Sequence, residues 1–396
     1  MTRLWAGPIM AAAMALGLAP GQGTAEESPV RVVFIGGFTG PLAQNLAAIK
    51  IGVDAAAADL NSRGGILGRP VEVVNLDSGG DPTKTVSLFQ QYVSRNDKPQ
   101  LVLAGNTSNE ALALTPLFTR QKVISFAPGA HQSLNDPKSY PYHFGIAVTT
   151  DRLQEALPHE LERMGVKRLA IVTPLDAYGS SIVKSISDVV GAAGIEVKAY
   201  QFDPKDLDVT GIFDRAIADA PDAFYIEGNG DVVQRMARAR VEVNGTHIPL
   251  IFGNSAGATN GGHMSWASGD ALKNVRVQTT YVTRYADPDD YSEPQKRFFG
   301  NAAEGVMDKG ISIVGPAYFF DSIQIYASAA EQAGSVDPDK VKAVLESDGF
   351  AVPELITWSD LGGYSADRHF PNPPLEDFVF IGPSPVVMGM FKPADH

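Results

Sequence analysis

The sequence predicts an α/β protein made of two doubly wound lobes, each with a parallel sheet covered by helices on both faces. Short apolar, β-branched runs alternate with amphipathic helical segments from Val30 onward, a pattern typical of buried parallel strands. This alternation forms two series, before and after about residue 148, with four or five strands each. The chain has 396 residues, which suits two or three domains of ordinary size.

The first series opens with an apolar strand and an amphipathic helix. Gly36-Gly37 ends the strand, Pro41 opens the helix, and Gly64-Gly65 ends it. Within the helix, apolar residues recur at three- and four-residue spacing, which indicates one buried face. Asp81-Pro82 opens a second helix to about residue 94, and a third follows from Asn109. The predicted strands of this series are residues 30–35, 71–76, 101–104 and 123–126.

The second series repeats the same alternation. Its predicted helices are residues 180–193, 211–220 and 231–243, and a longer helix covers 315–334. The tail from Pro353 contains Gly362-Gly363 and several prolines, so an irregular or extended course is expected. The predicted strands of the second series are residues 168–172, 196–202, 223–226, 249–252 and 275–282.

Composition excludes several classes of protein. There is no Cys, so disulfide scaffolds, thiolate metal sites and a Cys nucleophile are excluded. The formal net charge is −13 with no basic block, which argues against a nucleic-acid partner. The seven histidines form no close ligand pair. We therefore expect no metal and no cofactor.

The first 25 residues have the features of a cleavable signal peptide. Arg3 supplies the positive start, residues 9–19 are apolar, and Gly23-Thr24-Ala25 places small residues before the cut. The apolar run is shorter than the ~20 residues that a membrane span requires. The mature protein is therefore expected to be exported and not embedded in the membrane.

One motif suggests catalysis. Residues 253–257 match the G-x-S-x-G turn of serine hydrolases, which would make Ser255 a nucleophile. The residues that follow are poor helix formers, and the late histidines His263, His369 and His396 do not follow the expected pattern. Residues 228–230 begin like a dinucleotide fingerprint but lack the third glycine. The sequence predicts no enzyme, with a Ser255 hydrolase as the alternative.

An ordered set of motifs carries a resemblance to a known family. Residues 37–41 read Gly-Phe-Thr-Gly-Pro, 59–69 contain Asn-Ser-Arg-Gly-Gly-Ile-Leu-Gly-Arg, and Asp77 and Asp81-Pro82 follow the second strand. Later markers lie at 127–130 and 176–179. The sequence resembles the periplasmic solute-binding proteins of ABC importers, of the branched-chain amino acid (Leu/Ile/Val) type, over nearly the whole mature chain.

The resemblance implies the type I periplasmic-binding-protein fold, with two lobes joined by three crossings. It places the crossings near residues 147–150, 274–281 and 352–362. Lobe 1 is then expected to contain residues 30–147 with 282–352. Lobe 2 is expected to contain residues 148–274 with 353–396.

Physical reasoning places a ligand between the lobes. In open parallel sheets, ligands bind beyond the carboxyl ends of the strands, where helix N-termini offer free N–H groups to an anion. Ser108 follows the strand at 101–104, and it could either contact the ligand or serve only as the N-cap of the helix from Asn109. By resemblance, the ligand-binding residues are Ser108, Gly129, Ala130 and His131 around a carboxylate, Tyr178, Asn229 (or Gly228) and Ser255 from the second lobe, and Asn45 and Tyr281 at the walls.

The predicted ligand is a small organic solute whose identity is open. Amino-acid binders of this family often carry an acidic residue where Ser255 stands, and Asp176 or Glu227 could substitute for it here. An amino acid, another small carboxylate, an aromatic acid, an amide or a polar neutral compound therefore fits. We expect a monomer that delivers this solute to ABC permease subunits; the alternative is a ligand sensor of the same fold coupled to a receptor.

Overall fold

Two β-sheets organise the chain, and each collects the strands of one predicted series. The computed structural model describes residues 1–2, 28–105, 107–228, 232–256, 272–302, 312–382, 384 and 386–392. The predicted signal peptide therefore lies almost entirely outside the described residues, as does Asn229.

The first sheet has five parallel strands in the order β2-β1-β3-β4-β5. Its central strands are largely apolar and, apart from Arg31 of β1, buried, which requires cover on both faces. Its strands are β1 (Val30–Gly36), β2 (Val71–Asp77), β3 (Leu101–Ala104), β4 (Ile124–Ala127) and β5 (His143–Gly145).

Six of the described helices pack in the first lobe. The helices at 43–62 and 314–333 pack closely, because glycines lie at their contact. A Cβ on Gly52 would lie 1.8 Å from the Pro316 carbonyl oxygen, and one on Gly315 would lie 2.7 Å from Ile49 Cγ1. The helices are α1 (Ala43–Ser62), α2 (Pro82–Arg95), α3 (Ser108–Gln121), α9 (Glu293–Asn301), α10 (Val314–Ala333) and α11 (Pro338–Leu345).

The second sheet has six strands in the order β11-β10-β9-β8-β6-β7, and only β11 is antiparallel to its neighbour. Its strands are β6 (Arg168–Pro174), β7 (Glu196–Phe202), β8 (Ala223–Ile226), β9 (Leu250–Phe252), β10 (Val275–Thr280) and β11 (Phe378–Ile381). Its helices are α4 (Thr150–Gln154), α5 (Leu157–Arg163), α6 (Ala177–Ala192), α7 (Thr210–Ala218) and α8 (Val232–Glu242). A small ribbon of β12 (Val386–Val387) and β13 (Met390–Phe391) follows.

The chain passes between the sheets after β5, after β10 and again before β11. The third passage differs from the prediction, because residues 356–370 remain on the first lobe. Trp358 Nε1 donates to the Ile146 carbonyl at 2.9 Å, and Tyr364 Oη donates to the Gly145 carbonyl at 2.8 Å. Phe370 is buried in the first lobe's core. The assignment of all of 353–396 to lobe 2 is therefore wrong for this stretch.

The fold class predicted from the sequence is confirmed, and the differences are local. Helix α3 begins one residue early: Thr107 is its N-cap, with its side chain accepting from the Glu110 N–H, so Ser108 is not the cap. Strand β10 ends at Thr280, and Tyr281–Thr283 form a 3₁₀ turn. The sequence analysis did not predict β5, α4, α5, α9, α11 and β11.

Among the described helices, none combines the length and the apolar character that a membrane span requires.

Candidate ligand-binding site

A cavity opens between the carboxyl-terminal edges of the two sheets. It holds about 690 Å³ of empty space, counting the part open to solvent. Both lobes and the first crossing contribute to its wall. The lining residues are Asn45, Ile49, Thr107, Ser108, Pro128, Gly129, Ala130, Ala147, Val148, Leu153, Tyr178, Asn254, Ser255, Gly315, Tyr318 and Phe319.

The strand order explains why the cavity forms there. In the first sheet the chain goes from β1 outward to β2 and then back to β3 on the other side, and in the second sheet β6 lies between β7 and β8 in the same way. At such switch points the loops after neighbouring strands diverge and leave a crevice. The α1, α3 and α6 segments that follow these strands all contribute lining residues.

The first lobe presents the N-terminus of α3 to the cavity. Thr107 caps this helix, and its hydroxyl also donates to Glu110 Oε2 at 3.0 Å. Ser108 is 2% exposed, and its Oγ accepts from the His131 N–H at 3.3 Å. The helix start and the loop after β4 are thereby held together at the cavity wall.

Gly129 lets that loop approach the helix closely. A Cβ there would lie 3.2 Å from Ser108 Cα and 3.3 Å from Ala111 Cβ. The N–H groups of Gly129 and Ala130 have no acceptor within the described part of the chain. Together with the α3 N-terminus, they form a set of backbone donors suited to an anion such as a carboxylate.

The second lobe presents Tyr178, Asn254 and Ser255. Tyr178 lies in the first turn of α6, and its Oη lies 2.9 Å from Ser255 Oγ. Burial raises the pKa of the Tyr178 hydroxyl, and the nearby Glu227 raises it further, so this hydroxyl stays protonated. Asn254 is 7% exposed.

Glu227 lies behind this wall and is fully buried. Its carboxylate accepts from the backbone N–H groups of Gly228 at 3.0 Å, Ser255 at 3.3 Å and Ala256 at 2.8 Å. Burial raises the pKa of Glu227 to about 7, although these N–H groups oppose the shift. Glu227 therefore fixes the backbone on both sides of the Ser255 peptide and does not line the cavity.

The remaining wall is apolar and partly aromatic, with Ile49, Val148, Leu153, Tyr318 and Phe319. None of the described lining residues carries a charge. The described part of the chain also contains no group of three or more side chains that could hold a metal ion. A ligand's charge must therefore be matched here by backbone N–H groups or polar side chains.

The structure brings six of the nine predicted site residues together at the cavity: Asn45, Ser108, Gly129, Ala130, Tyr178 and Ser255. It does not bring the side chains of His131 and Tyr281 there, while Asn229 lies outside the described residues. The His131 ring accepts from the Ser133 N–H at 3.1 Å and caps a 3₁₀ turn. The Tyr281 ring lies under the Arg284 guanidinium, whose Cζ is 5.2 Å from the ring centroid.

The acidic residues considered as partners for an ammonium group have other roles. Asp176 caps α6 by accepting from the Gly179 N–H at 2.7 Å, and burial raises its pKa. His369, considered as a partner for Ser255, is instead bonded to Glu346 and to the His143 carbonyl. His263 and His396 lie outside the described residues.

Sequence reasoning missed Thr107, Asn254 and the aromatic pair Tyr318 and Phe319 of α10. The long apolar pattern of α10 predicted its helix but not which of its residues reach the cavity. Asn254 directly precedes Ser255 in the motif already singled out, so position at a strand end could have identified it.

These features define a two-lobed, ligand-binding protein of the type I periplasmic class. Residues 29–370 match the family described as periplasmic binding protein, and the chain belongs to that family. A relative in Rhizobium johnstonii, the Leu/Ile/Val-binding protein BraC3, is 24% identical over 334 residues, covering 83% of this chain and 86% of the relative.

Solved structures show the same fold. A periplasmic binding protein type 1 from Bordetella pertussis Tohama I aligns with a TM-score of 0.78 at 18% identity, covering 89% of this chain and 96% of that one. An ABC-transporter solute-binding protein from Rhodopseudomonas palustris HaA2, in complex with p-hydroxybenzoic acid, aligns with a TM-score of 0.70 at 19% identity, covering 81% and 85%. The relatives are binding proteins, so the protein is a solute-binding protein and not an enzyme.

Proposed function

We propose that this protein captures a small organic acid between its lobes in the periplasm and delivers it to an ABC permease. The observation that carries the proposal is a cavity whose described lining residues carry no charge and whose first-lobe wall includes the α3 N-terminus and the free N–H groups of Gly129 and Ala130. Such donors suit a carboxylate, which helix N-termini bind readily.

The charge pattern favours an acid over a cation. A buried cation without an acidic partner loses its hydration and gains no ion pair. The described lining residues supply no carboxylate, and Glu227 is already occupied by three N–H groups behind the wall. A carboxylate, by contrast, gains hydrogen bonds from the backbone at little cost, because the donors are already in place.

The apolar part of the wall indicates what kind of group the ligand carries beside its carboxylate. Ile49, Tyr318 and Phe319 suit an aliphatic or aromatic body next to the carboxylate. The printed names of similar proteins span this range, from Leu/Ile/Val binding to a complex with p-hydroxybenzoic acid. Bound solute would draw Tyr178 and Ser255 of the second lobe toward the first, a hinge closure about the three crossings.

A thermal-shift screen of amino acids, aliphatic acids, aromatic acids, amides and polyols tests the proposal. We expect one or more acids to raise the melting temperature, since a ligand at 100 times its Kd stabilises by about 2.7 kcal/mol. The corresponding neutral amides should not. If amides or polyols stabilise the protein and no acid does, the proposed ligand class is wrong.

Truncation of Tyr178 tests the position of the site. Tyr178→Ala removes a cavity wall and the hydroxyl that meets Ser255, so it should weaken binding of the best acid at least about tenfold. Tyr140→Ala is the matched control, because Tyr140 lies on the turn before β5 and does not line the cavity. Equal affinity in both variants would place the site elsewhere.

A further inference from the structure

Asn254 carries a buried hydrogen-bonding group that the protein itself leaves unused. The residue lines the cavity and is 7% exposed. Its side-chain Oδ1 is buried without a hydrogen-bond partner in the part of the chain that the structure describes. Leaving a buried acceptor unpaired costs about 1–3 kcal/mol, so the folded protein holds this group ready for a partner that comes from outside.

The backbone around Asn254 is held rigidly. Strand β9 ends at Phe252, and a Cβ on the next residue, Gly253, would lie 2.0 Å from Glu227 Oε2 and 2.4 Å from Tyr225 Oη. On the other side, the N–H groups of Ser255 and Ala256 donate to Glu227. Asn254 is thus positioned before any ligand arrives, which lowers the entropy that binding must overcome.

Glu227 is in turn part of a buried polar chain that reaches the crossings. Tyr225 Oη donates to Gln278 Oε1 at 2.7 Å and accepts from Gln154 Nε2 at 3.0 Å. Gln278 Nε2 donates to the Leu153 carbonyl at 2.8 Å, and Leu153 lines the cavity. The Asn254 turn is therefore anchored to the same elements that carry the cavity's apolar wall.

Asn254 belongs to the second lobe, whereas the backbone donors for a carboxylate belong to the first. A ligand that touches both must have a second polar group away from its carboxylate. The neighbouring hydroxyls of Tyr178 and Ser255 already bond each other at 2.9 Å, while the Asn254 amide has one acceptor and two donors to offer. A ligand hydroxyl, which both donates and accepts, matches that amide without adding a charge to an uncharged cavity.

We propose that Asn254 is a specificity-determining residue that selects acids bearing a neutral hydroxyl at the end remote from the carboxylate. This inference rests on the proposed function, since it takes the carboxylate to lie at the α3 N-terminus. It adds that the second lobe discriminates between acids through one buried amide, and that an ammonium group is disfavoured at this position.

Calorimetric titration with matched acids tests this inference. The probes are benzoate with 4-hydroxybenzoate, hexanoate with 6-hydroxyhexanoate, and leucine. Wild type should bind the hydroxylated member of one pair or both at least about tenfold more tightly than its partner. Asn254→Ala should reduce that ratio to about one, while Asn96→Ala, an exposed asparagine at the far end of α2, should leave it intact.

A second measurement separates specificity from a structural role. Because the Asn254 Oδ1 bonds nothing in the ligand-free protein, Asn254→Ala should melt without ligand at the same temperature as wild type or higher. A lower ligand-free melting temperature would overturn the assignment by showing that the side chain supports the fold.

The outcomes distinguish the two proposals. If acids bind but neither pair shows a preference, or Asn254→Ala keeps the preference, the inference about Asn254 fails and the proposed function stands. If leucine binds more tightly than every hydroxylated acid, the inference also fails, because an ammonium group is then accepted. If none of the acids binds, leucine included, the proposed function fails and the inference fails with it.

Discussion

Replacing Glu227 by glutamine should remove a large part of the pH dependence of this protein's stability. Burial raises the pKa of Glu227 from its ordinary value of 4.5 to about 7 in the folded state. Between these two values the folded protein holds a proton that the unfolded chain releases. The free energy of unfolding therefore falls as the pH rises through this window.

The size of the effect follows from the separation of the two pKa values. At 1.36 kcal/mol per pKa unit, moving from 4.5 to about 7 corresponds to roughly 3 kcal/mol. This contribution is fully present below about pH 4.5 and is lost by about pH 7. Glutamine has the shape of the protonated glutamic acid and does not titrate, so Glu227→Gln should lack this term.

Chemical denaturation of both proteins between pH 4.5 and 8 measures the effect. The variant should gain roughly 3 kcal/mol relative to wild type over that range. Taking the difference is essential, because burial also raises the pKa of Asp321 to about 7 and lowers that of His143 to about 3, and both groups are present in both proteins. Glu242→Gln, an exposed glutamate at the end of α8, is the matched control. A difference between wild type and Glu227→Gln that stays constant with pH would refute the reasoning.

Two further changes test contacts within the first lobe. Gly52→Ala would place a Cβ 1.8 Å from the Pro316 carbonyl oxygen and should lower the free energy of unfolding by about 1–3 kcal/mol or more, measured by chemical denaturation. The control is Gly191→Ala, where the added Cβ meets nothing within 4 Å, so the free energy of unfolding should rise slightly. Equal effects of the two changes would contradict the close α1–α10 contact. Trp358→Phe removes the N–H that donates to the Ile146 carbonyl and should lower the free energy of unfolding by about 1–3 kcal/mol in the same assay. An unchanged free energy of unfolding would mean that residues 356–370 do not depend on this hydrogen bond.

The regular parts of the fold could be predicted because their sequence pattern is local. Leu101–Ala104 and Ala223–Ile226 are short, continuous apolar runs, and the structure has strands with those bounds. The third crossing could not be located in the same way. Residues 356–370 contain no periodic pattern, and only long-range contacts such as Tyr364 to Gly145 hold them on the first lobe.

The candidate site was predictable in position but only partly in detail. The family resemblance, supported by position at strand ends, indicated Ser108, Gly129 and Ser255, because parallel strands bring their carboxyl ends to one edge. The side chain of His131 turns to a local backbone N–H instead, a competition that sequence does not resolve. The significance of Asn254 arises from an unpaired buried atom, which is a property of the assembled wall and has no sequence signature.

The return of the chain to its first lobe has a consequence for the order of folding. Phe34 of β1 packs on Phe319 of α10 with ring centroids 5.2 Å apart, and Trp358 bonds Ile146 across 212 positions of the chain. Contacts so distant in sequence form slowly, since long loops must close first. The lobe that is synthesised first is thus completed late: until α10 (Val314–Ala333) is available, α1 lacks its α10 partner, and the apolar surface that α10 covers stays open to chaperones.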